Sequence, residues 1–102
     1  MSHKSLTFEG AGGRYEVSVE QWAEMLLLLN NWGWRPEQVL TWYLATGVKV
    51  SDADSKNLAA TGQRVLDTAL KDPAAVYPVS FDMAKFYLLV EFCEAGAFRL
   101  SE

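Results

Sequence analysis

Residues 5–33 read SLTFEGAGGRYEVSVEQWAEMLLLLNNWG, and they predict a β-hairpin followed directly by a helix. From Ser5 to Val17, apolar residues alternate with polar ones around the glycine-rich segment 10–13, as in two strands joined by a turn. A hairpin alone is only marginally stable, so it needs a helix to pack against.

The first helix is predicted over Val19–Asn31. Ser18 and Gln21 form an S-x-x-Q capping box at its start, and Gly33 ends it. The four leucines at 26–29 sweep about 300° around the helix axis at about 100° per residue. At least one of these leucines must therefore point away from the main core.

Two further long helices are predicted. Ser51 caps the first, which continues to Lys71, and its expected buried residues are Leu58, Val65, Leu66, Ala69 and Leu70. The small residues around Gly62 indicate that another backbone approaches this helix closely. Ser80 caps the second, which is predicted over 81–95.

The remaining segments are less regular. Residues 36–46 are predicted to form a short helix, although 39–44 fit an extended segment rich in aromatic and branched residues equally well. The segment 48–50 is too short to be more than a lead-in to the helix that follows. Gly96 is expected to end the last helix in the left-handed backbone conformation. After it, Phe98 and Leu100 alternate with polar residues, which predicts a terminal strand that can add to the hairpin.

Together these elements predict an α+β fold that is mainly helical, with three to four helices packed on the N-terminal hairpin. The chain has 102 residues, of which 50% are hydrophobic, and this is enough for one core. No repeat or linker interrupts the sequence, so residues 1–102 are interpreted as a single domain.

Composition argues against several function classes. Thirteen Asp and Glu face nine Lys and Arg, and the net charge of -4 opposes the electrostatic attraction on which nucleic-acid binding depends. The single cysteine, Cys93, and the single histidine, His3, exclude sites that need clustered thiolates or two imidazoles. Apolar runs such as 25–29 are too short to cross a membrane, and we expect a cytoplasmic protein.

The remaining candidates for chemistry have simpler interpretations. Asp52 and Asp54 resemble a D-x-D metal pair, but they stand in the first turn of a helix, where the helix dipole favours carboxylates. Cys93 lies in an apolar helix and is expected to be a buried, inert thiol. The sequence therefore predicts no catalytic residue, no metal and no cofactor.

Four tryptophans, Trp22, Trp32, Trp34 and Trp42, fall close together in the sequence. They fit a role in the core. They also fit a binding loop, because aromatic and guanidinium groups are enriched at protein-binding hot spots. In the second interpretation, Trp34 and Arg35 are the most exposed because they follow the helix stop. The candidate protein-binding residues are Trp32, Trp34, Arg35, Glu37 and Trp42.

Three segments carry a resemblance to short bacterial proteins of uncharacterised function. These segments are WGWRP at 32–36, VS at 50–51 with the following Asp54 and Leu58-Ala59, and FCEAGAF at 92–98. In that group a helix ends in Gly-Trp-x-Pro, a Val-Ser cap opens a helix, and Ala-Gly-x-Phe precedes a final strand. Ala97 stands where the pattern has a second glycine, and Asp54-Ser55 replaces Asp-Ala. The resemblance implies no activity.

Size and charge are typical of an immunity or antitoxin protein. The first functional hypothesis is therefore a non-enzymatic domain that binds another protein, such as a toxin or a basic enzyme, and blocks it. The second is a homo-oligomeric structural or regulatory domain, because 25–29 and 86–93 carry more apolar surface than one helix face can bury. The third is a small enzyme without a recognisable motif.

The last helix bears on the choice between the first two hypotheses. It is apolar on most sides, so it is either enclosed by the rest of the molecule or shared with a second copy across a two-fold axis. Glu91 and Glu94 are three residues apart and mark one side as exposed to water. This spacing favours the enclosed arrangement.

Overall fold

The computed structural model describes residues 5–37, 43, 47–72 and 82–101. In these residues it contains a four-stranded antiparallel sheet and three α-helices, and the fold class is α+β as predicted. Along the chain the elements are β1 (Ser5–Gly10), β2 (Gly13–Ser18), α1 (Val19–Asn31), β3 (Lys49–Val50), α2 (Asp52–Lys71), α3 (Met83–Glu94) and β4 (Phe98–Ser101).

The sheet has the strand order β2-β1-β4-β3, so the terminal strand joins the hairpin as predicted. Phe8 lies opposite Tyr15 on one side and Leu100 on the other, and all three side chains are buried on the face that the helices cover. On the opposite face Glu9 lies between Arg14 and Arg99, and all three are exposed. This alternation produces one apolar and one polar face.

The segment 48–50 is part of the sheet rather than only a lead-in to the next helix. Val50 lies opposite Phe98, and the backbone N–H of Leu100 donates to the carbonyl oxygen of Val48 at 2.8 Å. Val48 and Val50 are buried while Lys49 between them is exposed. The prediction missed this edge strand because alternation over three residues is too short to recognise by itself.

Helix α1 has the predicted bounds. The Ser18 hydroxyl oxygen accepts a hydrogen bond of 3.1 Å from the backbone N–H of Gln21. Leu27 is 59% exposed while the other three leucines of the run are buried, which confirms that one leucine points away from the core.

Helix α2 also begins and ends as predicted, with the Ser51 hydroxyl accepting from the backbone N–H of Asp54. Leu58 and Val65 are buried, but Leu70 is 85% exposed, so its assignment to the core was wrong. Leu66 is only partly buried, because the core ends near Val65 and the last turn of the helix extends beyond it.

Helix α3 begins two residues later than predicted. Its N-cap is Asp82, whose carboxylate accepts from the backbone N–H of Ala84 at 2.9 Å. The predicted cap, Ser80, lies outside the described residues. The helix ends at Glu94, and Gly96 has the positive φ of +126° that was expected for its stop.

The packing of α2 against α3 depends on Gly62. A Cβ atom at this position would lie 2.5 Å from Cγ2 of Val90 and 3.5 Å from Cζ of Phe86. The close neighbour is therefore a side chain, and not another backbone as predicted. The Ser55 hydroxyl also donates to the carbonyl oxygen of Cys93 at 2.9 Å, which ties the two helices together.

Candidate functional site

The loop after α1 forms a Schellman motif. The backbone N–H of Trp34 donates to the carbonyl oxygen of Leu29 at 2.9 Å, and that of Gly33 donates to Asn30 at 3.1 Å. Gly33 has a φ of +106°, a conformation that glycine adopts without strain. The motif reverses the chain and directs the following residues back towards the protein interior.

Trp34 is consequently buried, with 1% of its surface exposed. Its indole N–H donates to the carbonyl oxygen of Asp54 at 3.2 Å, and its ring centroid lies 5.7 Å from that of Tyr43. The expectation that Trp34 is among the most exposed residues was wrong, because the residue after a Schellman glycine packs back on the helix it ends.

The other candidate residues of this region have different environments. Trp32 is partly buried against the core, and Arg35 and Glu37 are exposed. Trp42 lies outside the described residues, as do 38–41 and 44–46 of the segment that was predicted to form a short helix.

Asp54 holds the loop in place. Its carboxylate is buried and accepts a hydrogen bond of 2.7 Å from the Tyr43 hydroxyl and bonds of 3.3 and 3.2 Å from the backbone N–H of Glu37. The Tyr43 carbonyl oxygen in turn accepts from the indole N–H of Trp22 at 2.7 Å. The sequence predicts Asp54 only as a residue of the first helical turn, and nothing in the pattern indicates that its carboxylate binds the loop.

Two arginines meet at the same loop. The guanidinium of Arg35 donates to the carbonyl oxygens of Asn30 at 2.6 Å and Trp34 at 3.1 Å. The guanidinium of Arg64, which comes from α2, donates to the carbonyl oxygen of Trp32 at 2.9 Å. These carbonyls lie at or just beyond the carboxyl end of α1, where the helix dipole favours positive charge.

Between the loop and α2 lies a cavity of about 290 Å³, which we call the arginine groove. Gly33 and Arg35 contribute to it from the loop, and Asn57, Thr61 and Arg64 from α2. Arg64 was not among the predicted site residues, because nothing in the sequence places it beside residues that lie some thirty positions earlier.

A second surface is formed by four exposed residues of α3, Tyr87, Leu88, Glu91 and Glu94, which we call the α3 face. Tyr87 is 49% and Leu88 is 50% exposed. With about 100° between successive residues, the four side chains occupy roughly a third of the helix circumference. The pKa of Tyr87 is raised by its hydrogen bond to Glu91 and by the negative charges of Glu91 and Glu94.

Cys93 is buried as expected, and burial raises the pKa of its thiol to about 12. A thiol with this pKa is almost entirely protonated at neutral pH and is a poor nucleophile. Over the described ranges, no group of three or more His, Cys, Asp and Glu side chains could hold a metal ion.

Comparison with protein-family models, curated proteins and solved structures finds no match to this chain. In the part of the chain that the structure describes, no helix combines the length and the apolar character needed to cross a membrane.

Proposed function

We propose that the protein is a non-enzymatic, cytoplasmic binding domain of the immunity or inhibitor type, which blocks a basic partner protein through the α3 face. The observation that carries this proposal is the position of Tyr87 and Leu88. Both side chains are half exposed and adjacent, with Glu91 and Glu94 on the same face of the helix.

The α3 face combines the two properties that a binding surface for a basic protein needs. An aromatic and an aliphatic side chain can fill pockets on the partner and supply most of the binding free energy. The two carboxylates can attract a basic surface and speed the encounter. The net charge of -4 also favours attraction of a basic partner. A toxin or an enzyme with a basic site is a partner of this chemistry.

The loop 32–37 does not carry the proposal. Trp34, the aromatic residue expected to contact a partner, is buried. The charged residues that line the adjacent arginine groove, Arg35 and Arg64, are both positive. A basic partner would be repelled at this position.

A second candidate function, self-association, is favoured by the same exposed apolar pair. Two copies that pair across a two-fold axis would bury Tyr87 and Leu88. They would also bring Glu91 and Glu94 of both copies near one another, and such like charges oppose association. A basic partner satisfies both the apolar and the acidic residues, so we favour it.

Affinity capture with the tagged protein, followed by binding measurements with the purified partner, tests the proposal. We expect Leu88→Asp to weaken binding at least about 30-fold, as expected for a hot spot worth about 2 kcal/mol. Glu91→Gln should slow association and reduce its dependence on salt. The matched control is Leu70→Ser, which removes an exposed leucine from α2.

The proposal is supported if the captured protein is basic and its binding depends on Leu88 and Glu91 but not on Leu70. Equal binding by Leu88→Asp and the wild type would place the interface elsewhere. Capture of an acidic protein would contradict the expected charge of the partner.

A further inference from the structure

We propose that the arginine groove is an oxyanion-binding site that receives one carboxylate or phosphate group. The groove shares no residue with the α3 face, and this inference does not depend on the proposed function. Its basis is the pair of guanidinium groups of Arg35 and Arg64, which line one polar cavity from two different elements.

Neither arginine has a carboxylate partner within the described residues. Two other cationic side chains do have such partners, since Arg14 bonds Glu16 at 2.7 Å and Lys56 bonds Asp52 at 3.2 Å. Among the described residues that line the groove there is no Asp or Glu, although the chain has thirteen of them. Two positive charges therefore share a cavity whose described lining supplies no carboxylate, which favours an anion from outside.

Both guanidinium groups are already held in position. Arg35 is fixed by the carbonyl oxygens of Asn30 and Trp34, and Arg64 by that of Trp32. A guanidinium has five N–H donors, so these bonds leave donors on each arginine for a ligand. Arginine binds carboxylate and phosphate oxygens through pairs of parallel hydrogen bonds, and side chains fixed in advance lose less entropy when they do so.

Hydrogen bonds hold the loop that frames one side of the groove. Trp34 is buried and bonded to the backbone of Asp54, and Gly33 belongs to the Schellman motif. A Cβ atom at Gly33 would lie 3.5 Å from Nη2 of Arg64, which is ordinary van der Waals contact. The positive φ, and not a lack of space, is what favours glycine at this position.

Size and polarity limit what the groove can hold. At about 290 Å³ it lies at the lower end of the range for small-molecule sites, about 300–1,000 Å³. A single phosphate, a carboxylate side chain or a terminal carboxylate is small enough to enter this volume. The exposed side-chain amide of Asn57 adds an N–H donor, whereas the Thr61 hydroxyl already donates to the Asn57 carbonyl oxygen at 3.0 Å.

The experiment is a two-dimensional NMR titration of the whole protein with sodium phosphate and, separately, with sodium acetate. Ionic strength is held constant with sodium chloride, so that general screening contributes equally throughout. The signals followed are the side-chain N–H groups of Arg35 and Arg64 and the backbone N–H groups of 33–35 and 57–64. We expect saturable shifts confined to these signals, with a Kd of about 1 mM for the better probe.

Variants show whether the arginines bind the ion. Arg35→Gln and Arg64→Gln should each weaken binding at least about tenfold, and Arg64→Lys, which keeps the charge but loses the planar fork, should weaken it less than Arg64→Gln. The control is Arg99→Gln on the exposed face of the sheet, which should bind as the wild type does. Thermal unfolding of each variant confirms that it is folded.

Stronger binding of phosphate would identify a phosphoryl group as the ligand, and stronger binding of acetate would identify a carboxylate such as that of a partner protein. The proposal is wrong if neither probe gives saturable, localised shifts in the wild type. In that case the two arginines only stabilise the carboxyl end of α1. Equal shifts in Arg64→Gln and the wild type would also exclude the site.

Discussion

The Tyr43 hydroxyl donates a hydrogen bond of 2.7 Å to the buried carboxylate of Asp54, and this bond joins the segment after the Trp34 loop to the first turn of α2. The same carboxylate accepts from the backbone N–H of Glu37. One side chain of α2 therefore fixes two points in the connection between α1 and β3.

Tyr43→Phe should lower the free energy of unfolding by about 1.5–3 kcal/mol, because it removes a buried hydrogen bond to a charged group. Tyr15→Phe is the matched control, since the Tyr15 hydroxyl donates to a neutral carbonyl oxygen, that of Lys85, at 2.8 Å. Its expected cost is only about 0.5–1.5 kcal/mol. Urea denaturation measures both values. Equal losses would show that the charge of Asp54 adds nothing to the bond.

Much of the local structure can be predicted from the sequence, because its signals are short. Ser18 and Gln21 give the start of α1, Gly33 gives its end, and Ser51 gives the start of α2. Each of these signals depends on bonds between residues that are close in the chain. The bounds of both helices agree with the prediction for this reason.

The features that could not be predicted depend on contacts between residues that are far apart in the sequence. The carboxylate of Asp54 bonds Glu37 and Tyr43, which lie seventeen and eleven positions earlier. The indole of Trp34 bonds the backbone of a residue twenty positions later, and Arg64 reaches Trp32 across thirty-two positions. The spacing of Glu91 and Glu94 predicted that both are exposed. The sequence did not indicate that Tyr87 and Leu88, on the same face of the helix, are exposed as well. Periodicity indicates that a helix has a polar side, but it does not show how much of the apolar side the other elements cover.

Ser18→Ala should destabilise the protein by about 0.5–2 kcal/mol, because the backbone N–H of Gln21 loses its acceptor at the start of α1. Ser18→Asp restores an acceptor and a favourable charge at the N-terminus, so it should recover most of this loss. The denaturation midpoint reports both effects. An unchanged midpoint for Ser18→Ala would mean that the cap contributes no measurable stability.

Gly62→Ala should be destabilising even though alanine is favoured over glycine inside a helix by up to about 1 kcal/mol. The new methyl group would meet Cγ2 of Val90, and a β-branched side chain in a helix has little freedom to turn away. Combining the change with Val90→Ala tests this explanation. In that background Gly62→Ala should become neutral or stabilising, and additive losses would show that Val90 is not the cause.

Burial of Cys93 predicts a loss of stability at alkaline pH. The thiol pKa is about 12 in the folded protein and has the ordinary value of 9.0 when unfolded, so above pH 9.0 the unfolded state binds fewer protons than the folded state. The free energy of unfolding must then fall as pH rises, by about 1 kcal/mol between about pH 9 and about pH 10.

Cys93→Ala should flatten this part of the stability profile. The comparison is best made below about pH 10, because Tyr15 is also buried, its pKa is also raised, and its ionisation adds a loss of the same sign above that pH. Urea denaturation of both proteins at a series of pH values gives the two slopes. Parallel slopes for the variant and the wild type would contradict the assignment to Cys93.

The wild-type protein should be a monomer of 11.4 kDa in solution, because Glu91 and Glu94 oppose the pairing of two α3 faces. Light scattering at increasing protein concentration measures the mass directly. Tyr87→Glu should leave both the mass and the unfolding free energy almost unchanged, since substitutions of exposed residues usually alter stability by less than about 0.5 kcal/mol.

A dimeric wild type would contradict the prediction of a monomer. If the wild type is a dimer and Tyr87→Glu is a folded monomer, the half-exposed Tyr87 and Leu88 are buried between two copies, and the like charges of Glu91 and Glu94 are offset by that apolar contact. Raising the salt concentration then separates the two contributions, because screening weakens the repulsion between the carboxylates and leaves the apolar contact intact. A dimer that strengthens with salt would replace the basic partner by a second copy of this chain as the occupant of the α3 face.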